Sequence, residues 1–241
     1  WHLLKTNYFS APVIVVGNIT VGGTGKTPVV IALARFLKEK GWRPGIVSRG
    51  YGGKIKHFPY QVHQNSNARE VGDEPLLIVR HTDCPTVIDP NRSRGVRALL
   101  KRAHCNLVIS DDGLQHSSLG RNIEIIVVDG ERRFGNNFCL PAGPLREPTS
   151  RLNSVDFVIS KENPLRHEFK LSLIPDHFYQ LIQPKIKKTL DYFHGKTLHA
   201  VAGIGNPDQF FNSLRKLNLK IIEHPFPDHY LFKPHDFSYG S

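Results

Sequence analysis

The run Gly22-Gly23-Thr24-Gly25-Lys26-Thr27 brings together the residue types that can hold a triphosphate. Glycines let the main chain wrap tightly, so that successive amide N–H groups face phosphate oxygens. Lys26 supplies a point charge for the β- and γ-phosphates, and Thr27 a hydroxyl for Mg2+. A helix starting here would direct the positive end of its dipole at the same anion. The pattern is a short form of the phosphate-binding loop, because the general form has glycine where this chain has Thr20. The plain alternative is a glycine-rich strand-to-helix turn with no ligand, and a Lys-Thr pair at a helix start weighs against it.

A magnesium-binding carboxylate is expected at the end of a neighbouring strand, and two places compete. Leu107-Val108-Ile109-Ser110 leads into Asp111 and Asp112, while Ile125-Ile126-Val127-Val128 leads into Asp129. Asp129 follows the more hydrophobic run. Adjacent carboxylates beside a triphosphate repel one another, and Mg2+ would relieve that repulsion. On the residues alone the two places have equal claim. No Asn-Lys-Xaa-Asp guanine-reading motif is present, and Ser160-Lys161-Glu162-Asn163 lacks the aspartate. ATP is therefore expected rather than GTP.

Hydrophobic patterning gives the elements that must carry these groups. Pro12 to Ile19 reads as a buried strand, and Pro28 to Lys40 as a helix with Pro28 in its first turn and Gly41 at its stop. Gly45 to Ser48, Thr86 to Ile88, Asn106 to Ser110, Ile123 to Val128 and Phe157 to Ser160 read as strands. Glu74 to His81 and Ser93 to Ala103 read as helices, and Arg49 to Asn67 as a long mobile loop. The alternation predicts an α/β fold with a P-loop NTPase-type parallel sheet and helices on both faces. That ATP-binding domain is expected over 1–163. A proline-punctuated linker region follows over 164–195, then a smaller second α/β lobe over 196–241 that looks cut short. In that lobe Leu198 to Gly203 and Lys220 to Ile222 read as strands around a helix from Pro207 to Leu217.

Composition narrows the partners. The 241 residues are 39% hydrophobic and 22% charged, ordinary for a globular protein, so disorder is a poor default. The formal charge of +11 favours anionic partners, whether phosphates, nucleic acid or an anionic membrane surface. No nucleic-acid motif or aromatic–basic repeat supports the second of these. Cys84, Cys105 and Cys139 have no zinc-ligand spacing and suit inert thiols in a reducing compartment. No apolar run approaches the roughly 20 residues that span a bilayer.

Longer motifs carry a resemblance. Val16-Gly17-Asn18-Ile19-Thr20-Val21 running into the glycine-rich loop and Pro28, Ser48-Arg49-Gly50-Tyr51-Gly52, and Gly72-Asp73-Glu74-Pro75 come first in the chain. Asp111-Asp112-Gly113-Leu114-Gln115-His116 and Leu140-Pro141-Ala142-Gly143-Pro144-Leu145-Arg146-Glu147-Pro148 follow, then Val201-Ala202-Gly203-Ile204-Gly205-Asn206-Pro207 and Phe226-Pro227-Asp228-His229. In this order and over nearly the whole chain, they resemble the tetraacyldisaccharide 4'-kinases, the lipid A 4'-kinases. The chain looks shorter than a full member at both ends, opening on Trp1 and stopping at Gly240-Ser241.

The resemblance implies transfer of the ATP γ-phosphate to the 4'-hydroxyl of a tetraacylated glucosamine disaccharide 1-phosphate, the lipid A precursor. The work would be done peripherally at the cytoplasmic face of the inner membrane, and no protein partner is implied. It moves the magnesium site to Asp111 and Asp112, so that Asp111 joins Thr27 as a metal ligand with Asp112 and Lys26 catalytic, and leaves Asp129 as a strand-end residue. It gives Asp73 and His229 a joint role near the acceptor hydroxyl. On residue type alone, Asp73 reads as a helix N-cap and His229 as a surface loop residue. Arg92, His116, Arg146 and Glu147 would lie near the substrate; for the charged ones the plain reading is a solvated helix or loop. The rival function is a partition or positioning ATPase of the same loop class, a switch rather than a metabolic kinase. Many of those carry a lysine before the first glycine, where this chain has Val21.

Overall fold

The computed structural model describes residues 5–239; both chain ends remarked on above, at Trp1 and at Gly240-Ser241, lie outside them. The described chain divides between Ser172 and Leu173 into two compact units. The first unit runs β1 (Val13–Gly17), α1 (Lys26–Glu39), β2 (Pro44–Ser48), β3 (Tyr60–Val62), α2 (Ala68–Val71), α3 (Asp73–Thr82), β4 (Thr86–Ile88) and α4 (Arg92–Arg102). It continues with β5 (Leu107–Asp111), β6 (Ile123–Asp129), β7 (Phe157–Lys161) and β8 (Phe169–Leu171). These strands form one sheet in the order β3-β4-β2-β5-β1-β6-β7-β8, parallel throughout except for β3.

β1 is a Val/Ile run buried at every position, which suits a strand covered on both faces. Alternate side chains leave on opposite sides. Val13 and Val15 join Val96 and Leu99 of α4 in one core, while Ile14 and Val16 join Val29, Val30 and Ala34 of α1 and Ile78 of α3 in the other. Helices therefore cover both faces, as the alternation of elements required. β5 and β6 flank β1, so the chain turns away to one side after β1 and returns to the other at β6. Ligands of open α/β sheets bind at such a reversal, beyond the carboxyl ends of the strands.

Two segments differ from their sequence reading. Within Arg49 to Asn67, expected as loop, Tyr60–Val62 forms the antiparallel edge strand on β4. Its polar middle residue, Gln61, breaks the apolar run that marks Thr86–Ile88, a strand of the same length. The stretch 164–195, expected as a linker, is shared between the units. Phe169–Leu171 extends the large sheet, and the remainder holds β9 (Phe178–Tyr179) and β10 (Lys187–Lys188), an antiparallel pair of the second unit.

The rest of the second unit is a βαβ element: β11 (Thr197–Ala202), α5 (Pro207–Lys216) and β12 (Lys220–Pro225), with the two strands parallel. α5 starts as its sequence dictates, with Asn206 accepting from the Gln209 amide at 3.3 Å and Pro207 at a position that needs no amide donor. Phe211 seats α5 on Ala200 and Ala202. Among the described residues no helix is long and apolar enough to cross a membrane.

Ile109 in β5 is fully buried between β1 and β2. Ile109→Ala is expected to lower unfolding free energy by about 2–5 kcal/mol, through lost transfer energy and the cavity left behind. Urea titration of the variant beside the parent chain measures this.

Candidate active site

Site residues of the first unit collect beyond the carboxyl ends of β1, β2 and β5. The glycine-rich loop leaves β1 and enters α1 through Gly25, whose φ of 91° lies in the left-handed region that glycine tolerates. α1 begins at Lys26, two residues before the expected start at Pro28, so proline still falls in the turn whose amides have no helical partner. No side chain caps this helix and no acidic residue occupies its first turn. Its leading amides are thus left for an anion. Thr24 is buried with its Oγ1 lacking a protein partner, and Lys26 and Thr27 are also buried.

The parallel register sets Val16 of β1 beside Asp111 of β5, which carries the Asp111-Asp112 pair to the loop. Asp111 is 1% exposed. Its Oδ2 accepts from the Ser48 hydroxyl at 2.9 Å, and its Oδ1 has no protein partner. Burial pushes its carboxyl up to about 6, reinforced by Glu74 and Asp112 and partly offset by Ser48 and Lys26. Asp112 has a left-handed backbone with φ 49°, uncommon outside glycine and a sign of a held conformation. Its Oδ1 lies 3.5 Å from Lys26 Nζ, and Arg146 Nη1 donates to both its oxygens at 3.3 Å. Burial alone would raise this carboxyl, but Lys26, Arg146 and Arg92 together hold it below its ordinary value.

Arg92 is not a solvated helix charge. It is 1% exposed, with Nη1 donating to the Asp89 carbonyl at 2.8 Å and Nη2 to the carbonyls of Asp111 and Asp112 at 3.0 and 3.3 Å. Burial draws its pKa down to about 10 against the fields of Asp111 and Asp112. It clamps the main chain behind the carboxylate pair. His116 also sits in this field: burial, then the charges of Arg92 and Arg49, hold its pKa below the usual imidazole value.

The Leu140–Pro148 motif walls the loop. The Val21 amide donates to the Pro144 carbonyl at 2.8 Å and the Arg146 amide to the Ile19 carbonyl at 2.6 Å, with Leu145 fully buried between. Glu147 is engaged rather than freely solvated. Gln115 Nε2 donates to its Oε1 at 2.7 Å and to the Asn18 carbonyl at 3.2 Å, and Arg151 Nε donates to Oε2 at 3.2 Å.

Asp129 takes a different place. Its Oδ1 accepts from the amides of Glu131 and Arg132 at 3.1 and 3.0 Å, which makes it the clamp of a turn. That turn presents Arg132, whose Nη2 donates to the Val21 carbonyl at 3.1 Å beside Gly22. Arg132 does not announce itself in the sequence, because only the fold carries it to the loop.

Asp73 is the first residue of α3, and the N-cap is Gly72, so the N-cap reading of Asp73 gives way to a position one residue further in. Gly72 has φ 91° and ψ 154°, a conformation that is essentially glycine's own. A Cβ there would stand 2.5 Å from the Tyr51 carbonyl oxygen. The Gly50-Tyr51 and Gly72-Asp73 motifs therefore interlock and fix where Asp73 begins its helix. His229 belongs to the second unit. It follows β12 in a turn with φ 56°, and its amide donates to the Gly203 carbonyl at 3.2 Å.

Comparison with known proteins places these features in a family. A family model described as LpxK, Tetraacyldisaccharide-1-P 4'-kinase, matches residues 1–240. A Nitrosococcus oceani protein named Tetraacyldisaccharide 4'-kinase is 52% identical over 239 residues, covering 99% of this chain and 70% of the relative. One of the same name from Legionella pneumophila is 50% identical over 241 residues, covering 99% and 74%. A crystal structure of Aquifex aeolicus LpxK in complex with ATP matches with a TM-score of 0.78 at 30% identity, covering 96% of this chain and 76% of that one.

Gly72→Ala is expected to lower the melting temperature by roughly 5–10 °C, because the new methyl group combines backbone strain with a clash. Gly23→Ala, where a Cβ meets nothing within 4 Å, is expected to leave it nearly unchanged. Parallel thermal melts of the two variants measure the contrast.

Proposed function

The chain belongs to the tetraacyldisaccharide 4'-kinase family, and on that premise we propose that it moves the γ-phosphate of ATP to the 4'-hydroxyl of a tetraacylated glucosamine disaccharide 1-phosphate, a step of lipid A biosynthesis. The observation that carries this reading is the uncapped start of α1, with Lys26 3.5 Å from Asp112 and the buried, half-partnered Asp111 beside it. Positive and negative groups meet there as phosphoryl transfer requires, since catalysis of that reaction is mostly positioning and charge neutralisation.

The loop amides from Gly22 to Thr27 bind the phosphate chain, and Lys26 neutralises charge on the transferring group. The Thr27 hydroxyl and the unpartnered Asp111 Oδ1 fit a Mg2+ ion, which when bound offsets phosphate charge. Asp112 holds Lys26 in place and is itself held by Arg146, and Arg92 fixes the backbone that presents both carboxylates. Asp73 orients the sugar hydroxyl and accepts its proton as oxygen bonds to phosphorus, with ADP as the leaving group. A carboxylate is a weak base for an alcohol. Late proton transfer eases that mismatch, and the family resemblance assigns His229 to the same step. The protein works peripherally at the cytoplasmic face of the inner membrane, where the +11 charge suits both an anionic surface and an acceptor bearing a phosphate.

Label transfer from γ-labelled ATP to the disaccharide lipid tests the reaction. ATP hydrolysis indifferent to the lipid would overturn it in favour of a switch ATPase. Lys26→Ala and Thr27→Ala are each expected to lower kcat by about 100-fold or more. Asp111→Asn is expected to raise the Mg2+ concentration for half-maximal rate, while Asp129→Asn, which can keep its turn, leaves it unchanged. A magnesium titration that moves only for Asp129→Asn would reverse the assignment.

Asp73→Ala and His229→Ala are each expected to reduce kcat far more than they raise KM for ATP. The double variant should fall close to the worse single one, because one broken proton-transfer unit cannot be broken twice. Strictly additive losses in kcat would separate the two residues. A large fall in melting temperature with kcat intact would return Asp73 to a structural role.

A further inference from the structure

The turn between β9 and β10 holds apolar side chains out in water. The Gln180 amide donates to the Ile186 carbonyl at 3.1 Å and the Ile186 amide to the Gln183 carbonyl at 2.9 Å, so Leu181 to Lys185 form a projecting tip. Leu181 is 84% and Ile182 87% exposed, among the most exposed large apolar side chains of the described residues. The strands below alternate. Phe178 turns inward, edge-to-face on Phe193 at 5.1 Å, while Tyr179, opposite Lys187, turns outward. Between Phe178 and Leu190 the chain has Lys185, Lys187 and Lys188 and no carboxylate. Tyr179 meets the His177 ring edge-to-face at 6.2 Å, whereas Leu181 and Ile182 stand at the tip beyond it.

Burial of a small convex tip cannot supply the area of a stable protein interface, which needs about 800 Å2 on each partner. Asp176 and Asp191 lie near Lys187 and Lys188 at the base of the hairpin, while its tip carries no carboxylate. Two adjacent aliphatic side chains beside three lysines match a different surface, one with an apolar interior under a layer of negative charge. We propose that this hairpin is the chain's docking surface for an anionic phospholipid bilayer, with Leu181 and Ile182 entering the acyl boundary and Lys185, Lys187 and Lys188 meeting headgroup phosphates. Tyr179 and Ile186, both about half exposed, lie at the level between. The inference rests on the peripheral-membrane reading above and deepens it by naming the surface.

Co-sedimentation with vesicles of phosphatidylcholine, with and without phosphatidylglycerol, tests it on the whole chain. The parent protein is expected to bind the phosphatidylglycerol vesicles in a salt-sensitive way. The double variant Leu181→Asp, Ile182→Asp should lose on the order of tenfold or more in apparent affinity. The triple variant Lys185→Ala, Lys187→Ala, Lys188→Ala should lose the preference for phosphatidylglycerol. Both variants should keep the parent melting temperature and its turnover on detergent-dispersed lipid, which separates docking from folding and chemistry. Parent protein that binds neither vesicle would overturn the peripheral-membrane reading and this surface with it. Parent protein that binds while both variants bind equally well would overturn the hairpin assignment alone.

Discussion

The parallel pairing of β1 with β5 is the constraint on which the site depends. It places Val16 opposite Asp111, so the strand that feeds the glycine-rich loop ends beside the strand that feeds the carboxylate pair. A slip of one residue would turn the core side chains of β1 to the wrong faces, and two separate cores forbid it. Packing energy spread over many aliphatic side chains thus fixes the relation between Lys26 and Asp112. Neither residue need supply that precision itself.

Charge at the site is arranged in layers. Arg92 lies deepest and meets main-chain oxygens, so its cation stabilises the strand ends without neutralising either carboxylate by direct contact. Asp111 comes next, buried and half-partnered, and then Asp112 between Lys26 and Arg146. Leaving a buried carboxylate oxygen without a partner costs free energy. The Asp129 turn is built on the other principle, with its Oδ1 engaged by two amides, and its product is the placement of Arg132 against Val21. Two aspartates ending the strands that flank β1 thus differ in whether local main chain satisfies them.

Much of this was legible in the sequence, and what was not has identifiable causes. The glycine-rich loop and the buried strands announce themselves because their signals are local: turn chemistry in one case, uninterrupted Val/Ile runs in the other. Asp111 and Asp129 could not be separated by their residues alone, since the difference lies in what accepts the amides after each strand. Arg92 has the look of a solvated charge because it opens a basic helix, yet the fold drives it under the ends of β4 and β5. Arg132 needed a contact between segments distant in the chain. The edge strand β3 was hidden by the polar Gln61 at its centre. Asp73 missed its place as a cap by one position, because Gly72 takes the strained geometry instead.

The strand order also bears on how the protein is made. The loop emerges from the ribosome early, but β1 acquires its partners only when residues paired with Val13 to Gly17, at 108–111 and 123–126, have followed. Closing such long segments is entropically slow, and domains tend to fold as units during synthesis. Until β6 is complete, β1 is a bare aliphatic strand with unsatisfied main-chain groups on at least one side. A nascent chain paused before Asp129 would therefore carry the glycine-rich loop without its geometry and would be a client for chaperones. Pausing after it would leave β1 paired on both edges, with the part of its core from Leu145 onward still to come.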